Sequence, residues 1–414
     1  MPAPPRAERL LLRGGLLCDG AAPPAPGALL LDEGLIAEVI TGAAPASIEG
    51  ARTIDLAGAL LVPGLIDAHT HLISGGDMDA YDRELLKDSL PLRTLRAAAN
   101  ARLALDHGVL TMRDLCTEGA GYADVALRDA IRAGLCEGPR VVPAGPGLGI
   151  TGGYLPGGYA PGVCVPAGCA IVEGPDAARR EVRLQVSHGV EWIKVFADWT
   201  VDDPRTGEHR ALPTFTRPEL EAIVDEARRR GRSVAAHVTS DEGAREAIAC
   251  GVASIEHMGD LSRETLDAAA AAGITLVPTL SVMAHVVETA PEARRDAMKR
   301  QLDVAAAAFG RALAAGVRIA CGTDIGCFPH EQGSRGELRW MMDFGMQPLA
   351  ALRAATGDAA ALLGLPSLGR LAPGAIADLA VFALPEGAPD LRAALDAPPV
   401  LVLQGGRVVR DRRG

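Results

Sequence analysis

The sequence predicts an α/β fold: a parallel (β/α)8 TIM barrel with a small β-sandwich domain built from both chain termini. Three observations predict it. Short apolar runs alternate with helical patterns through the middle of the chain, as parallel strands and their crossover helices do. Strand-like segments without helices occupy both ends. The 414 residues exceed one ordinary domain but suit a barrel of about 250 residues with an appendage.

Composition narrows the class. Hydrophobic residues make up 48% and aromatics only 3%, so the core must be Ala, Leu, Val and Ile, which suits buried parallel strands. A net charge of −11 without a basic stripe argues against nucleic acid as a partner. No apolar run approaches the ~20 residues that cross a membrane. The opening MPAPPRAERLLLRGG lacks the apolar core and small-residue cleavage site of a signal peptide. Eight scattered cysteines without a C-x-x-C pair read as reduced thiols of a cytoplasmic protein. A small-molecule substrate and a homo-oligomeric state are expected, with no membrane partner.

Residues 9–60 give four short strands, 9–12, 27–32, 35–40 and 51–55, separated by turn residues such as Asp32-Glu33-Gly34. From Leu61 the pattern becomes strand, loop, helix, repeated. Apolar runs lie at 60–68, 108–113, 140–144, 190–196, 233–238, 252–255, 274–279 and 317–321. Helical patterns fill the gaps between most of them, and glycines such as Gly251, Gly273 and Gly316 mark their C-terminal stops. Residues 376–382 and 399–409 return to strand. The economical division is 1–62 with 365–414 as the β-sandwich domain and 63–364 as the barrel, linked through Pro63-Gly64 and Leu365-Pro366-Ser367. Long loops follow the third strand (145–174) and the fourth (198–215), where barrels carry substrate recognition.

Chemistry concentrates at the strands. His69 and His71 sit two apart, so an extended strand points both to one face, spaced for two imidazoles on one metal ion. His237, His257 and Asp324 close strands five, six and eight, and in a barrel these ends converge. Lys194 lies within Trp192-Ile193-Lys194-Val195-Phe196. Desolvation there favours the neutral amine, and addition of carbon dioxide would give a carbamate with one oxygen for each of two metals. A buried ion pair between Lys194 and Asp198 is the alternative. Arg113 reads as a buried ion-pair member, and His107 and His188 as surface residues near helix ends.

Together Pro63 to His71, Lys194, His237, Ile255-Glu256-His257 and Gly322-Thr323-Asp324 resemble the amidohydrolase superfamily, as does the closing Leu371-Ala372-Pro373-Gly374-Ala375-Ile376-Ala377-Asp378-Leu379. Thr111 to Leu115, Ile150-Thr151-Gly152-Gly153, Glu337-Leu338 and Leu352 to Thr356 are most similar to its prolidase-like, Xaa-dipeptidase and imidazolonepropionase-related branch. The resemblance implies two zinc ions per chain. His69, His71 and Asp324 would hold one, His237 and His257 the other, with carboxylated Lys194 and a hydroxide bridging them, and Asp324 moving the proton. It implies a binuclear zinc amidohydrolase acting on dipeptides or N-acyl amino acids, with lactam or imidazolone ring opening as the alternative. Mononuclear deaminases of this kind lack the lysine. A non-catalytic metal-binding scaffold is the rival from another class, although no ligand is missing.

One departure bears on substrate. Where the branch often has a histidine after Thr-Gly-Gly, this chain has Tyr154, whose phenol could polarise a carbonyl. Tyr159, His285 and His330 are candidates for the pocket wall or its support. Arg205, Arg210 and Arg335 are candidates for a substrate carboxylate, with His209 in the same insertion as the first two.

Overall fold

Gly64 divides the first apolar run into two strands with different partners. Leu60–Pro63 pairs in parallel with Leu10–Leu17 and antiparallel with Leu379–Phe382. Leu65–Thr70 turns away to pair with Val109–Asp114. A Cβ on Gly64 would stand 2.5 Å from Leu110 Cδ1, so a side chain there would collide with the neighbouring strand. The structure, a computed structural model, describes residues 8–56, 58–160, 162–202, 209–384 and 390–413.

Strands from both ends of the chain meet in one sheet. Its eight strands include Leu10–Leu17, Ala25–Asp32 and Leu35–Thr41 from the beginning and Leu379–Phe382, Leu401–Gln404 and Arg407–Asp411 from the end. Alternation along Leu60–Pro63 explains how this sheet serves two cores. Leu60 and Val62 join the main apolar core, while Leu61 packs with Leu10, Leu29, Leu379 and Leu401. The expected sandwich is one hydrogen-bonded sheet with a shared core; two separately bonded layers are not seen among the described residues.

The central strands appear in the expected order but fall into two parallel sheets rather than a single ladder. Leu65–Thr70, Val109–Asp114 and Arg140–Pro143 form one. Trp192–Phe196, Ser233–His237, Ser254–Glu256, Thr275–Val277 and Arg318–Ile319 run side by side in the other, which also takes in two short strands of the 145–174 loop. Backbone bonds cross between the sheets. On one side Ala68 donates to Cys321 (2.8 Å) and Asp324 to His69 (2.8 Å); on the other Glu191 donates to Pro143 (2.8 Å).

Helices start and stop where local chemistry directs. Ser240 and Ser262 accept backbone N–H groups at the starts of Asp241–Cys250 and Arg263–Ala272, and Gly251 and Gly273 end them in the left-handed region. Two elements depart from expectation. The pattern 348–363 breaks into Pro348–Ala354 and Gly357–Leu362. The loop after the fourth strand is a hairpin, Asp198–Asp202 against His209–Pro213.

Candidate metal centre

His69 is fully buried and His71 is 6% exposed, and their rings tilt against each other with centroids 5.4 Å apart. Both reach the same atom: Asp324 Oδ1 lies 3.0 Å from His71 Nε2 and 3.4 Å from His69 Nε2. These three side chains form a group able to hold a metal ion. His69 Nε2 and Asp324 Oδ1 are buried atoms without a hydrogen-bond partner, a costly condition that a cation between them relieves. The opposite ring nitrogens are occupied, which aims the free ones. His69 Nδ1 meets Glu256 Oε2 at 2.9 Å, His71 Nδ1 donates to the Cys116 carbonyl at 3.1 Å, and His257 Nδ1 meets Thr279 Oγ1 at 2.8 Å. Metal-bound histidines are oriented in this way.

The other expected ligands converge on the same place. The His257 ring centroid stands 4.9 Å from that of His69 and 4.5 Å from that of His237. Lys194 is 1% exposed and points inward, into the cavity that Asp324, His237 and His257 also line. Among the described residues it has no hydrogen bond or salt bridge. Burial lowers its pKa against the pull of Glu256 and Asp324 toward the cation. The alternative partner Asp198 is engaged elsewhere, accepting from Thr239 and Ser240 backbone N–H groups at 3.0 and 2.7 Å.

Burial, helped by Lys194, lowers the pKa of His69 to about 4, and burial, His69 and Lys194 lower that of His257 to about 3. Burial first and then His257 hold His237 well below its ordinary value. Three imidazoles are thus neutral and keep the lone pair that ligation needs. Burial would raise the Asp324 carboxyl, but His69, His71 and His257 hold it well below the usual range.

The backbone is strained around this centre. Among the described residues six non-glycine residues have positive φ, and five of them, Cys116, Glu118, His257, Thr279 and Asp324, belong to it. Left-handed backbone at such positions persists where surrounding structure enforces it.

Beside the centre opens a cavity of about 150 Å³ walled by Tyr81, Tyr154, Phe196 and Trp199. Tyr154 stacks on Phe196 at 3.7 Å. Its hydroxyl donates to Glu118 Oε2 at 2.9 Å, so its single proton is engaged by a carboxylate and does not face a carbonyl. Tyr154, expected from the sequence to polarise a carbonyl, thus turns its proton to Glu118 in this structure and lines the cavity. On the far side of the centre lies a wider groove of about 840 Å³, also bounded by His237, His257 and Asp324, and Arg210 lines it.

Other candidates sit elsewhere. Tyr159 is exposed and donates to Asp82 at 2.5 Å, outside the cavity wall. His285 lines a separate cleft with Phe328 and Gln332. His330 is buried near the backbone of Ser74 and His71, so it supports the site from behind. Arg335 donates to the Asp396 carbonyl, away from the centre. Arg205 and the side chain of His209 lie outside the described residues. His188 stacks on Tyr122, and His107 is half-buried against Arg335.

Two residues of the site escape a reading of the sequence for ligands. Glu256 is fully buried and joins His69 to Arg113 Nη2 (2.8 Å), so Arg113 pairs across strands rather than with adjacent Asp114. A carboxylate inside the apolar strand 254–256 was its signal. Glu118 accepts both Tyr81 (2.8 Å) and Tyr154, and its other oxygen lies 3.4 Å from His71 Nδ1. It sits in a left-handed turn that no local pattern announces.

Comparison with known proteins places this geometry. Residues 60–410 match the amidohydrolase family. The chain is 33% identical over 359 residues to ochratoxinase of Aspergillus niger, covering 79% of this chain and 70% of that one. It is 29% identical over 377 residues to imidazolonepropionase of Paracoccus denitrificans, covering 86% and 87%. The crystal structure of a Xaa-Pro dipeptidase with bound methionine in its active site superposes with a TM-score of 0.85 at 28% identity, over 97% of this chain and 100% of that one.

Proposed function

This chain belongs to the amidohydrolase family, and from that premise we propose that it is a binuclear zinc hydrolase of amide bonds in dipeptides or N-acyl amino acids. One observation carries the reading: His69 Nε2 and Asp324 Oδ1 face each other buried and unpartnered, with His71, His237, His257 and Lys194 around them. His69, His71 and Asp324 would hold one ion, and His237 and His257 the other. Neutral, buried Lys194 would add carbon dioxide through Nζ, releasing a proton, and offer a carbamate oxygen to each side. Zinc, when bound, lowers the pKa of water toward ~7 and polarises a carbonyl. Asp324 takes the proton of the attacking water and delivers it to the leaving amine. Glu256 and the Cys116 carbonyl keep the ligand imidazoles aimed.

The similarity to a Xaa-Pro dipeptidase favours a linear amide. Opening of an imidazolone or lactam ring is the second reading, supported by the imidazolonepropionase relative. We read residues 63–364 as a closed barrel and 1–62 with 365–414 as the accompanying β-sandwich domain, in a cytoplasmic homo-oligomer acting on a small molecule without nucleic-acid or membrane partners. No described helix is long and apolar enough to cross a membrane.

Metal analysis and a substrate library test the function together. About two zinc ions per chain and turnover of dipeptides or N-acyl amino acids are expected. A protein that cleaves no amide would be the scaffold instead.

A further inference from the structure

Helix Leu280–Thr289 is a partition between two spaces. Val282 and Met283 face the wider groove, which His257 and Asp324 also line. Ser281, Ala284, His285 and Glu288 fall on one other face of the helix and line a separate cleft of about 220 Å³. Among the described residues none lines both spaces. The helix is also tied to the metal centre, since Thr279, which starts it, bonds His257 Nδ1 at 2.8 Å.

Two polar groups of this cleft lack hydrogen-bond partners among the described residues. Ser281 is 8% exposed and its hydroxyl is unpartnered. Arg335 Nε is buried and unpartnered too, while its other nitrogens meet the Asp396 carbonyl (2.5 Å) and His107 Nδ1 (3.5 Å). Two donors without acceptors are costly, and a ligand carboxylate satisfies both. Gly336 keeps the space beside them open: its Cβ would stand 3.6 Å from Ser281 Oγ, so a long side chain there would fill the cleft.

The charges of the cleft complete the description. Asp396 offsets Arg335. Arg339 lies over the Trp340 ring at 5.3 Å, and neither Arg339 nor Glu288 has an ion-pair partner among the described residues. The cleft thus offers donors and positive charge on one side, a carboxylate on the other, and the rings of Phe328 and Trp340. From Ser281 to Glu288 the helix rises about 10 Å. Helical side chains lean toward the N-terminus, which brings Glu288 back toward Ser281 and both within reach of one small zwitterion.

We infer that this cleft binds a free α-amino acid, with its carboxylate on Ser281, Arg335 and Arg339, its ammonium on Glu288 and its side chain against Phe328 and Trp340, and that its occupancy is felt at the metal centre through Thr279 and His257. An amino acid is also what the amide hydrolysis proposed above releases; that link alone rests on the hydrolase reading.

Calorimetry of the zinc-loaded protein with L-leucine reads the site. L-leucinol lacks the carboxylate and 4-methylpentanoic acid the ammonium, so the two read its ends. L-leucine should bind, and each analogue should bind at least ten-fold more weakly. Ser281→Ala and Glu288→Gln should each weaken L-leucine about ten-fold. Zinc titration reads the coupling without turnover. At an L-leucine concentration that fills chiefly the unaltered cleft, zinc should bind at least two-fold more tightly to the unaltered protein than without L-leucine, because a filled cleft holds Thr279 on His257. Glu288→Gln under the same conditions corrects for chelation by the free amino acid. No binding of L-leucine, or binding that neither variant weakens, overturns the inference. Zinc affinity unchanged or weakened relative to Glu288→Gln overturns the coupling. Binding and coupling that hold in a protein cleaving no amide support the cleft and overturn only the hydrolase reading.

Discussion

Glu256 holds two cationic or protonated neighbours at once: His69 at 2.9 Å and Arg113 at 2.8 Å, with Ser254 also bonded to it. All are buried, and Arg113 and His69 hold the carboxyl down to about 2 against the opposing effect of burial. Glu256→Gln leaves the Arg113 guanidinium without a counter-charge in the core. Removing one partner of a buried pair costs roughly 3–5 kcal/mol, and losing a ligand's outer support weakens metal binding ten- to a hundred-fold. Chemical denaturation and zinc titration of the variant should show both losses; unchanged zinc affinity would contradict the orienting role. Asp324→Asn is expected to behave differently, keeping much of the metal while kcat falls below detection, because an amide cannot shuttle the proton. Measurable turnover with full zinc would refute that assignment. The convergence of His69, His71, His237, His257 and Asp324 was legible because strand alternation and strand-end position report side-chain direction. Glu118 was not, because its role comes from a left-handed turn that brings Tyr81 and Tyr154 to one oxygen from two separate segments.

Helix Leu280–Thr289 shows what an element can hide. It is apolar, starts at Thr279 with φ of 49° and has no side-chain cap of its own, so neither periodicity nor a capping residue marks its start. Its start is satisfied from a distance: Glu337 accepts the Leu280 and Ser281 N–H groups, each at 2.8 Å. Helices ending at Gly251, Gly273 and Gly316 were readable because their stops are local. The remote cap also has a titration signature. Burial raises the Glu337 carboxyl from 4.5 to about 7, outweighing the donors that favour its charge. Below pH 4.5 folded and unfolded chains are both protonated there. Between 4.5 and about 7 only the unfolded chain ionises, so this group's stabilising contribution is lost as pH rises. Relative to Glu337→Gln, the wild type should lose roughly 3 kcal/mol across that window. Parallel denaturation curves at pH 5 and pH 8 check it, and identical pH dependence for both proteins would exclude it.

The metal centre gathers side chains from strands far apart in the sequence, so its occupancy bears on the molecule as a whole. Zinc at a hundred-fold excess over its Kd should add about 2.7 kcal/mol to stability. Chelation should therefore lower Tm and abolish turnover, and re-addition of zinc should restore both. Restoring activity without bicarbonate should be slower, because the carbamate proposed on Lys194 would draw on carbon dioxide; equal recovery rates in both buffers would argue against the carbamate. At this scale the sequence announced strand-rich ends and an alternating middle. It did not announce that Gly64 would split one apolar run between two sheets, because the collision with Leu110 that requires glycine is a tertiary contact.

That split sets an order of assembly. Leu60–Pro63 lies between a strand near the start of the chain and Leu379–Phe382 near its end, so one of its edges stays bare until more than three hundred further residues have been made. At ribosomal speeds of about 5–20 residues per second, that interval runs to tens of seconds. A nascent chain carries the exposed Leu-Leu-Val edge throughout, which makes synthesis rate and holdase supply determinants of yield.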